Sequence, residues 1–252
     1  MIMFYREWGS RDRPLMIFLH GGGAAGWMWD HQVQYFHDYH CIVPDLPKHG
    51  KSREEKEFSI ISSAEKVIEL INEKGKGKKI IIIGFSLGAQ IALQILSEEP
   101  EFIHYAMINS ALADPIPLGI QMLEPWVTLL FPLTRSRAFS RLQSKVLYIH
   151  DDDFEKYFHD TSQMEKETLL RILQENMSFV IPDTFKHATA NILITVGEKE
   201  NHWMKQSAKK ISQSNPNCQG LMIGGVGHGF PLAKPALFHK MARDWIEGRG
   251  LL

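Results

Sequence analysis

A serine, Ser86, lies between two glycines in Gly84-Phe85-Ser86-Leu87-Gly88, right after the β-branched run Ile80–Ile83 and right before the helix-forming stretch Leu87–Glu98. That order dictates a strand, a sharp turn and a helix in succession, the G-x-S-x-G arrangement that lifts a serine hydroxyl off the end of a sheet. So tight a turn strains the backbone at the serine and brings strand and helix too close for side chains at the flanking positions, which glycine tolerates. The helix then points its free N-terminal N–H groups towards the serine, where they favour negative charge. Ser86 is thus a candidate nucleophile, and the chain is committed to a buried strand with a helix against it.

With 252 residues, the chain can form one large α/β domain or two small ones, with a sizeable core either way. Its hydrophobic content of 44% and charged content of 23% are those of an ordinary soluble protein. A formal net charge of -1 gives no electrostatic footprint for nucleic acid or an anionic membrane. The lysine- and glycine-rich stretch Lys74–Lys79 reads as a solvated helix-to-strand turn. Cys41 and Cys218 are far apart in apolar contexts, so they are expected to be buried free thiols, which suits a reducing compartment. The N-terminal MIMFYREWGS lacks the pattern of a secretory signal, and no apolar run approaches membrane-spanning length. A soluble, cytoplasmic protein acting on a small molecule is expected, with neither nucleic acid nor membrane as partner.

Short apolar runs at Leu15–Leu19, Cys41–Val43, Lys79–Ile83, Tyr105–Ile108, Asn191–Val196 and Gln219–Ile223 read as strands. Trp29–His37, Ser59–Lys74, Leu87–Glu98, Met204–Ser212 and Ala236–Trp245 read as helices, with Pro100 closing the third. The alternation predicts an α/β fold: a mostly parallel central sheet with helices on both faces. Ile2–Trp8 could add an antiparallel edge strand. Between Ala111 and His187 the alternation stops. Pro115, Pro117, Pro125 and Pro132 are expected to break the first part of this segment into short pieces, and Tyr157–Met177 is strongly helical. The predicted organisation is a core from 1–110 and 188–252 with a helical lid, 111–187, inserted in it. In that lid Trp126, Val127, Leu129, Leu130 and Phe131 supply apolar surface that must face something.

A serine hydroxyl needs a base to take its proton and an acid to orient that base. The candidate base is His228, in the glycine-rich loop Gly224–Phe230 that follows the last strand. His20-Gly21-Gly22-Gly23 follows the strand Leu15–Leu19, and a glycine-rich turn there leaves backbone N–H groups free for a developing oxyanion. The expected donors are Gly22 and Leu87. As an isolated motif the three glycines could equally cradle a phosphate, but no GK[ST] follows and no G-x-G-x-x-G with its acidic partner is completed.

These landmarks, in this order, resemble the α/β-hydrolase superfamily, in its lidded, single-domain, esterase-like branch. The likeness covers nearly the whole chain. It includes Asp45-Leu46-Pro47-Lys48-His49-Gly50-Lys51-Ser52, similar to a D-x-x-G-x-G-x-S turn but with Lys48 where the family usually has glycine. The resemblance implies that His20 and His49 anchor loops rather than transfer protons. It also puts the acid at the end of Gly197-Glu198-Lys199-Glu200, where Glu200 replaces the usual aspartate; Asp114, after the preceding strand, is the alternative. The implied activity is serine hydrolysis of a small, largely uncharged ester or thioester through an acyl-enzyme, with no metal or organic cofactor. Relatives with the same triad perform C–C bond hydrolysis or eliminations, and a ligand-sensing protein with slow or vestigial catalysis is a further alternative. Trp27, Met28, Trp126, Phe131, Trp203 and Phe230 are the expected pocket walls.

Overall fold

The computed structural model describes residues 3–250 apart from Lys56. Seven strands form one sheet: β1 (Tyr5–Trp8), β2 (Leu15–Leu19), β3 (His40–Pro44), β4 (Ile80–Phe85), β5 (Tyr105–Asn109), β6 (Asn191–Gly197) and β7 (Cys218–Ile223). Their order across the sheet is β1-β3-β2-β4-β5-β6-β7. β1 is antiparallel to β3, with Tyr5 opposite Pro44 and Trp8 opposite Cys41, so the expected edge strand exists within the described residues; Ile2 lies outside them. All other pairings are parallel.

β2, β3 and β4 are buried along their whole length because helices cover both faces. Side-chain alternation divides the core in two. Leu15, Ile17, Leu19, Ile80 and Ile82 pack on one face with α2 (Ile60–Lys74), α3 (Leu87–Glu98) and α8 (His202–Ser214). Met16, Phe18, Ile81 and Ile83 pack on the other with α1 (Asp30–Tyr35), the short α9 (Phe230–Ala233) and α10 (Pro235–Ile246). Helix starts follow side-chain chemistry: Ser59 Oγ accepts the Ser62 N–H at 3.0 Å to open α2, and Asn201 Oδ1 accepts the Met204 N–H at 3.0 Å to open α8. α3 stops two residues before Pro100, as expected.

Between β5 and β6 lie α4 (Pro117–Leu130), α5 (Arg137–Val146), α6 (Phe154–Gln163) and α7 (Lys166–Ser178). One expectation needs correction here. Pro125 does not break the chain but sits inside α4 on its exposed face, where water can satisfy the carbonyl it frees. The helical stretch Tyr157–Met177 is two helices, separated where Met164 and Glu165 turn extended. Most of the apolar surface of α4 also faces outward: Leu123 and Val127 are buried, whereas Leu118, Trp126 and Leu129 are more than half exposed.

Cys41 is buried, with its thiol directed at the Phe36 carbonyl, and Cys218 is only half-buried. Burial pushes both thiols up to about 12. Among the described residues no helix is long and apolar enough to cross a membrane.

Candidate active site

β4 ends in the turn that carries Ser86. The serine backbone has φ 53° and ψ -113°, a conformation costly for any residue with a Cβ. The neighbouring strands hold it there. The Ser86 N–H donates to the Asn109 carbonyl at 2.8 Å, and Asn109 Nδ2 donates to the Gly84 carbonyl at 2.9 Å. Thr195 Oγ1 in turn donates to Asn109 Oδ1 at 2.6 Å, tying β4, β5 and β6 together beneath the turn. The flanking glycines are steric requirements: a Cβ at Gly84 would stand 2.7 Å from Ala89 Cα, and one at Gly88 would run into the Leu19 carbonyl. Ser86 occupies the N-cap position of α3 but makes no capping hydrogen bond, so its hydroxyl is free for other work.

His228 comes from the loop after β7. Its Nδ1 lies 2.9 Å from Glu200 Oε2, which fixes Nδ1–H as the donor and leaves Nε2 as a free base. Glu200 itself closes a tight turn. Its N–H donates to the Gly197 carbonyl at 3.1 Å, while its Oε1 accepts the Gly197 N–H at 2.9 Å and the Ser110 hydroxyl at 2.6 Å. The longer glutamate side chain can bend back to its own turn and still reach the imidazole. Burial works to raise the Glu200 carboxyl, but the bonds from His228, Ser110 and Gly197 outweigh it and hold the group below the usual carboxylate range. Asp114 is placed elsewhere, paired with Lys210. The Phe85 ring packs against the His228 ring at 4.9 Å between centroids.

The loop after β2 brings Gly22 beside Leu87: a Cβ at Gly22 would lie 3.6 Å from Leu87 Cδ2. No acceptor among the described residues takes the N–H of Gly22 or of Leu87. His20 anchors this loop. Its Nδ1 bonds the Gly21 carbonyl at 2.8 Å and its Nε2 accepts the Leu46 N–H at 2.9 Å. Full burial lowers the His20 imidazole to about 4, so it is a neutral strut. His49, packed on His20 at 5.0 Å, binds the Pro47 carbonyl at 2.9 Å and is lowered by burial to about 3. Asp45 accepts the Gly26 and Lys51 N–H groups, both at 2.8 Å, and Lys48 takes the left-handed φ of 67° that a glycine would adopt more cheaply.

Ser86 stands where three cavities meet. A wide one of about 530 Å³ is lined by His228, Glu200, Tyr148, Lys145 and Lys199. A more apolar one of about 270 Å³ runs past Gly22 and Leu87 to Tyr157, Leu169, Ile172 and Leu173 of α6 and α7. A slot of about 50 Å³ is walled by Trp27, Met28, Phe85 and Leu232.

Of the expected pocket walls, Trp27 and Met28 do line the slot, and Trp27 Nε1 donates to Asp160 Oδ2 of α6 at 2.8 Å. The other four need correction. Trp126 is 54% exposed on α4 and Trp203 is 49% exposed on α8, both turned to solvent. Phe131 lines none of the three cavities and lies beneath the Arg135 guanidinium. Phe230 is 1% exposed and packs edge-on against Phe238 in the core, because the adjacent Gly229 turns it inward. Sequence reasoning missed Tyr148, Tyr157 and Asn176. The helical pattern of Tyr157–Met177 put two of them on a helix but gave no sign of which face met the serine.

The sequence profile of the alpha/beta hydrolase family matches residues 16–240. The hydrolase YugF of Bacillus subtilis strain 168, itself uncharacterized, is 21% identical over 97% of this chain and 94% of its own length. Esterase Rv0045c of Mycobacterium tuberculosis is 31% identical over 46% of this chain and 37% of its own length. Among solved structures, a thermophilic esterase from Thermogutta terrifontis superposes with a TM-score of 0.80 over 98% of this chain and 93% of that one, at 17% identity, which speaks for the fold. The sheet order, the strained Ser86 turn and a profile match spanning most of the sequence agree: the chain belongs to the alpha/beta hydrolase family.

Proposed function

We propose that this protein is a serine hydrolase that cleaves a small ester or thioester through an acyl-enzyme. The observation that carries the reading is the convergence of an uncapped Ser86 hydroxyl and a Glu200-bound His228 on one cavity, beside two unused N–H groups. His228 Nε2 takes the Ser86 proton as Oγ attacks the carbonyl carbon. The Gly22 and Leu87 N–H groups then bind the oxyanion, each worth on the order of 10²-fold in rate. Glu200 holds the imidazolium in place. The ester C–O (or C–S) bond breaks as His228 returns the proton to the leaving group, and water, deprotonated by the same histidine, releases the acid and restores Ser86.

Residues 111–187 act as a lid on the core made by 1–110 and 188–252. Gln143, Tyr157, Thr161 and Ile172, all from its helices, wall the apolar cavity and would keep water from the acyl group. The test is covalent labelling with a fluorophosphonate, mapped by mass spectrometry, with Ser86→Ala as control. A single adduct on Ser86 is expected; a folded protein that takes none overturns the reading.

A further inference from the structure

We infer that the wide cavity takes a leaving group bearing a carboxylate, held by Tyr148, Lys145 and Lys199. The inference rests on the serine-hydrolase reading and names its substrate class. His228 must face the departing oxygen to protonate it; it lines two cavities with Ser86, and of these only the wide one of about 530 Å³, not the slot of about 50 Å³, has room for a leaving group, so the apolar cavity past Gly22 is the acyl side.

The donors and acceptors of the wide cavity do not balance. Its carboxylate is spent, with Glu200 engaged by His228, Ser110 and Gly197, and Asn201 Oδ1 is used to cap α8, which leaves Asn176 Oδ1 as the open side-chain amide acceptor among the described residues. Its donors are not spent. Tyr148 Oη accepts the Gly227 N–H at 3.0 Å, so one lone pair is occupied while its own hydrogen has no acceptor among the described residues. Lys145 and Lys199, both exposed, line the same cavity, and neither pairs with a carboxylate among the described residues. Of the two acids that flank Lys199, Glu200 is engaged as above and Glu198 accepts the Gly225 N–H at 2.7 Å.

The backbone holds this arrangement. Tyr148 sits in the left-handed region, φ 57°, just past the end of α5, which swings its ring onto the His228 loop; a Cβ on Gly229 would come within 3.2 Å of that ring. The Lys199 N–H is pinned to the Val226 carbonyl at 2.8 Å. A phenol donor and two exposed lysines on the rim of one cavity with the reacting serine match an anion of carboxylate type. The sequence pointed to a largely uncharged substrate because the lid carries no basic cluster; Lys145 and Lys199 are far apart in sequence, and only the fold brings them to one cavity.

The test compares 4-acetoxybenzoate with its methyl ester, each kcat/KM being normalised to the uncatalysed hydroxide rate. At low salt the wild-type ratio of charged to neutral ester is expected to be roughly 10, since each exposed cation contributes about threefold. It should fall towards 1 in 0.5 M NaCl as screening shortens the field. Lys145→Gln with Lys199→Gln should lower the low-salt ratio roughly tenfold. A wild-type ratio of 1 or below, or one that neither salt nor the double variant moves, overturns the inference while leaving the hydrolase intact. If the double variant does not fold, Lys145→Gln and Lys199→Gln made singly, at exposed positions, should each lower the ratio about threefold, and an unchanged ratio in both overturns the assignment. Turnover of neither ester, with no fluorophosphonate adduct, overturns the hydrolase reading and this inference with it.

Discussion

Glu200 reaches His228 with one carboxylate oxygen, at 2.9 Å, while its other oxygen is tied to Ser110 and to the N–H of Gly197 in its own turn. The acid is held from both sides. Glu200→Gln leaves the volume unchanged but removes the charge that fixes the imidazole tautomer, so kcat/KM on a neutral ester is expected to fall roughly 10³-fold or more. Asp114→Asn, which alters only the pair with Lys210, should stay within about twofold. Equal losses from both would show that Asp114 shares the role. Circular dichroism on each variant separates loss of function from loss of fold.

Ser86 is strained for the sake of its hydroxyl, with φ 53° and ψ -113°. Alanine keeps the Cβ and the strain; glycine relieves it. Backbone strain of this kind costs about 1–3 kcal/mol, partly offset by glycine's greater freedom in the unfolded chain. Ser86→Gly is therefore expected to be more stable than Ser86→Ala by about 1 kcal/mol, a higher Tm by several degrees. Both variants should be inactive. Identical melting curves would mean that the turn is not strained at Ser86.

Much of this site was legible from the chain because its parts are local. The Ser86 turn, the glycines after β2 and the loop bearing His228 each follow a strand, and the strands announce themselves as short apolar runs. Lys48 illustrates the robustness of such turns: where the family usually has glycine, the lysine adopts φ 67° in a turn closed by its own N–H to the Ser52 carbonyl at 3.0 Å and by Asp45, which accepts the Lys51 N–H at 2.8 Å. The pocket walls were not legible. Trp126 and Phe131 looked like walls because they are large and apolar, but which face of a lid helix turns inward depends on its packing against the other helices. Lys145 and Lys199 needed the fold to become neighbours of one cavity.

His20 and His49 set an acid limit on stability. Both are buried and neutral, lowered to about 4 and about 3 from an ordinary value of 6.5. Above pH 6.5 neither state binds the extra proton and the pair has no effect on the pH dependence. Below it the unfolded chain takes up protons that the folded chain refuses, so stability falls as pH drops from 6.5 towards 4 and, for His49, on towards 3. The loss at the bottom of each window is on the order of 3 kcal/mol for His20 and about 5 kcal/mol for His49. Glu200 adds to it lower down: its depressed carboxyl supplies stability above 4.5 that is lost as pH falls further. His49→Asn can keep the bond to the Pro47 carbonyl and removes one titration, so its Tm should decline less steeply between pH 6.5 and 4 than the wild type's. Parallel declines would mean that His49 takes up its proton freely in the folded state.

Trp27 ties the loop after β2 to the helices between β5 and β6. Its Nε1–H donates to Asp160 Oδ2 of α6 at 2.8 Å, with the indole 9% exposed and walling the slot beside Ser86. A hydrogen bond to a part-buried carboxylate is worth about 1.5–3 kcal/mol, and its loss also strands the acceptor. Trp27→Phe keeps most of the apolar contact and removes the donor, so it is expected to destabilise by about 2 kcal/mol. Trp126→Phe and Trp203→Phe, on exposed faces, should stay within about 0.5 kcal/mol. A double-mutant cycle of Trp27→Phe with Asp160→Ala should return a coupling of about 1 kcal/mol or more. Hydrogen exchange should speed up in α6 before it does in the sheet, because that bond is one of the contacts that fasten the helices between β5 and β6 to the body carrying Ser86, Glu200 and His228. A coupling near zero, or exchange unchanged in α6, would show that α6 is held down by apolar packing alone.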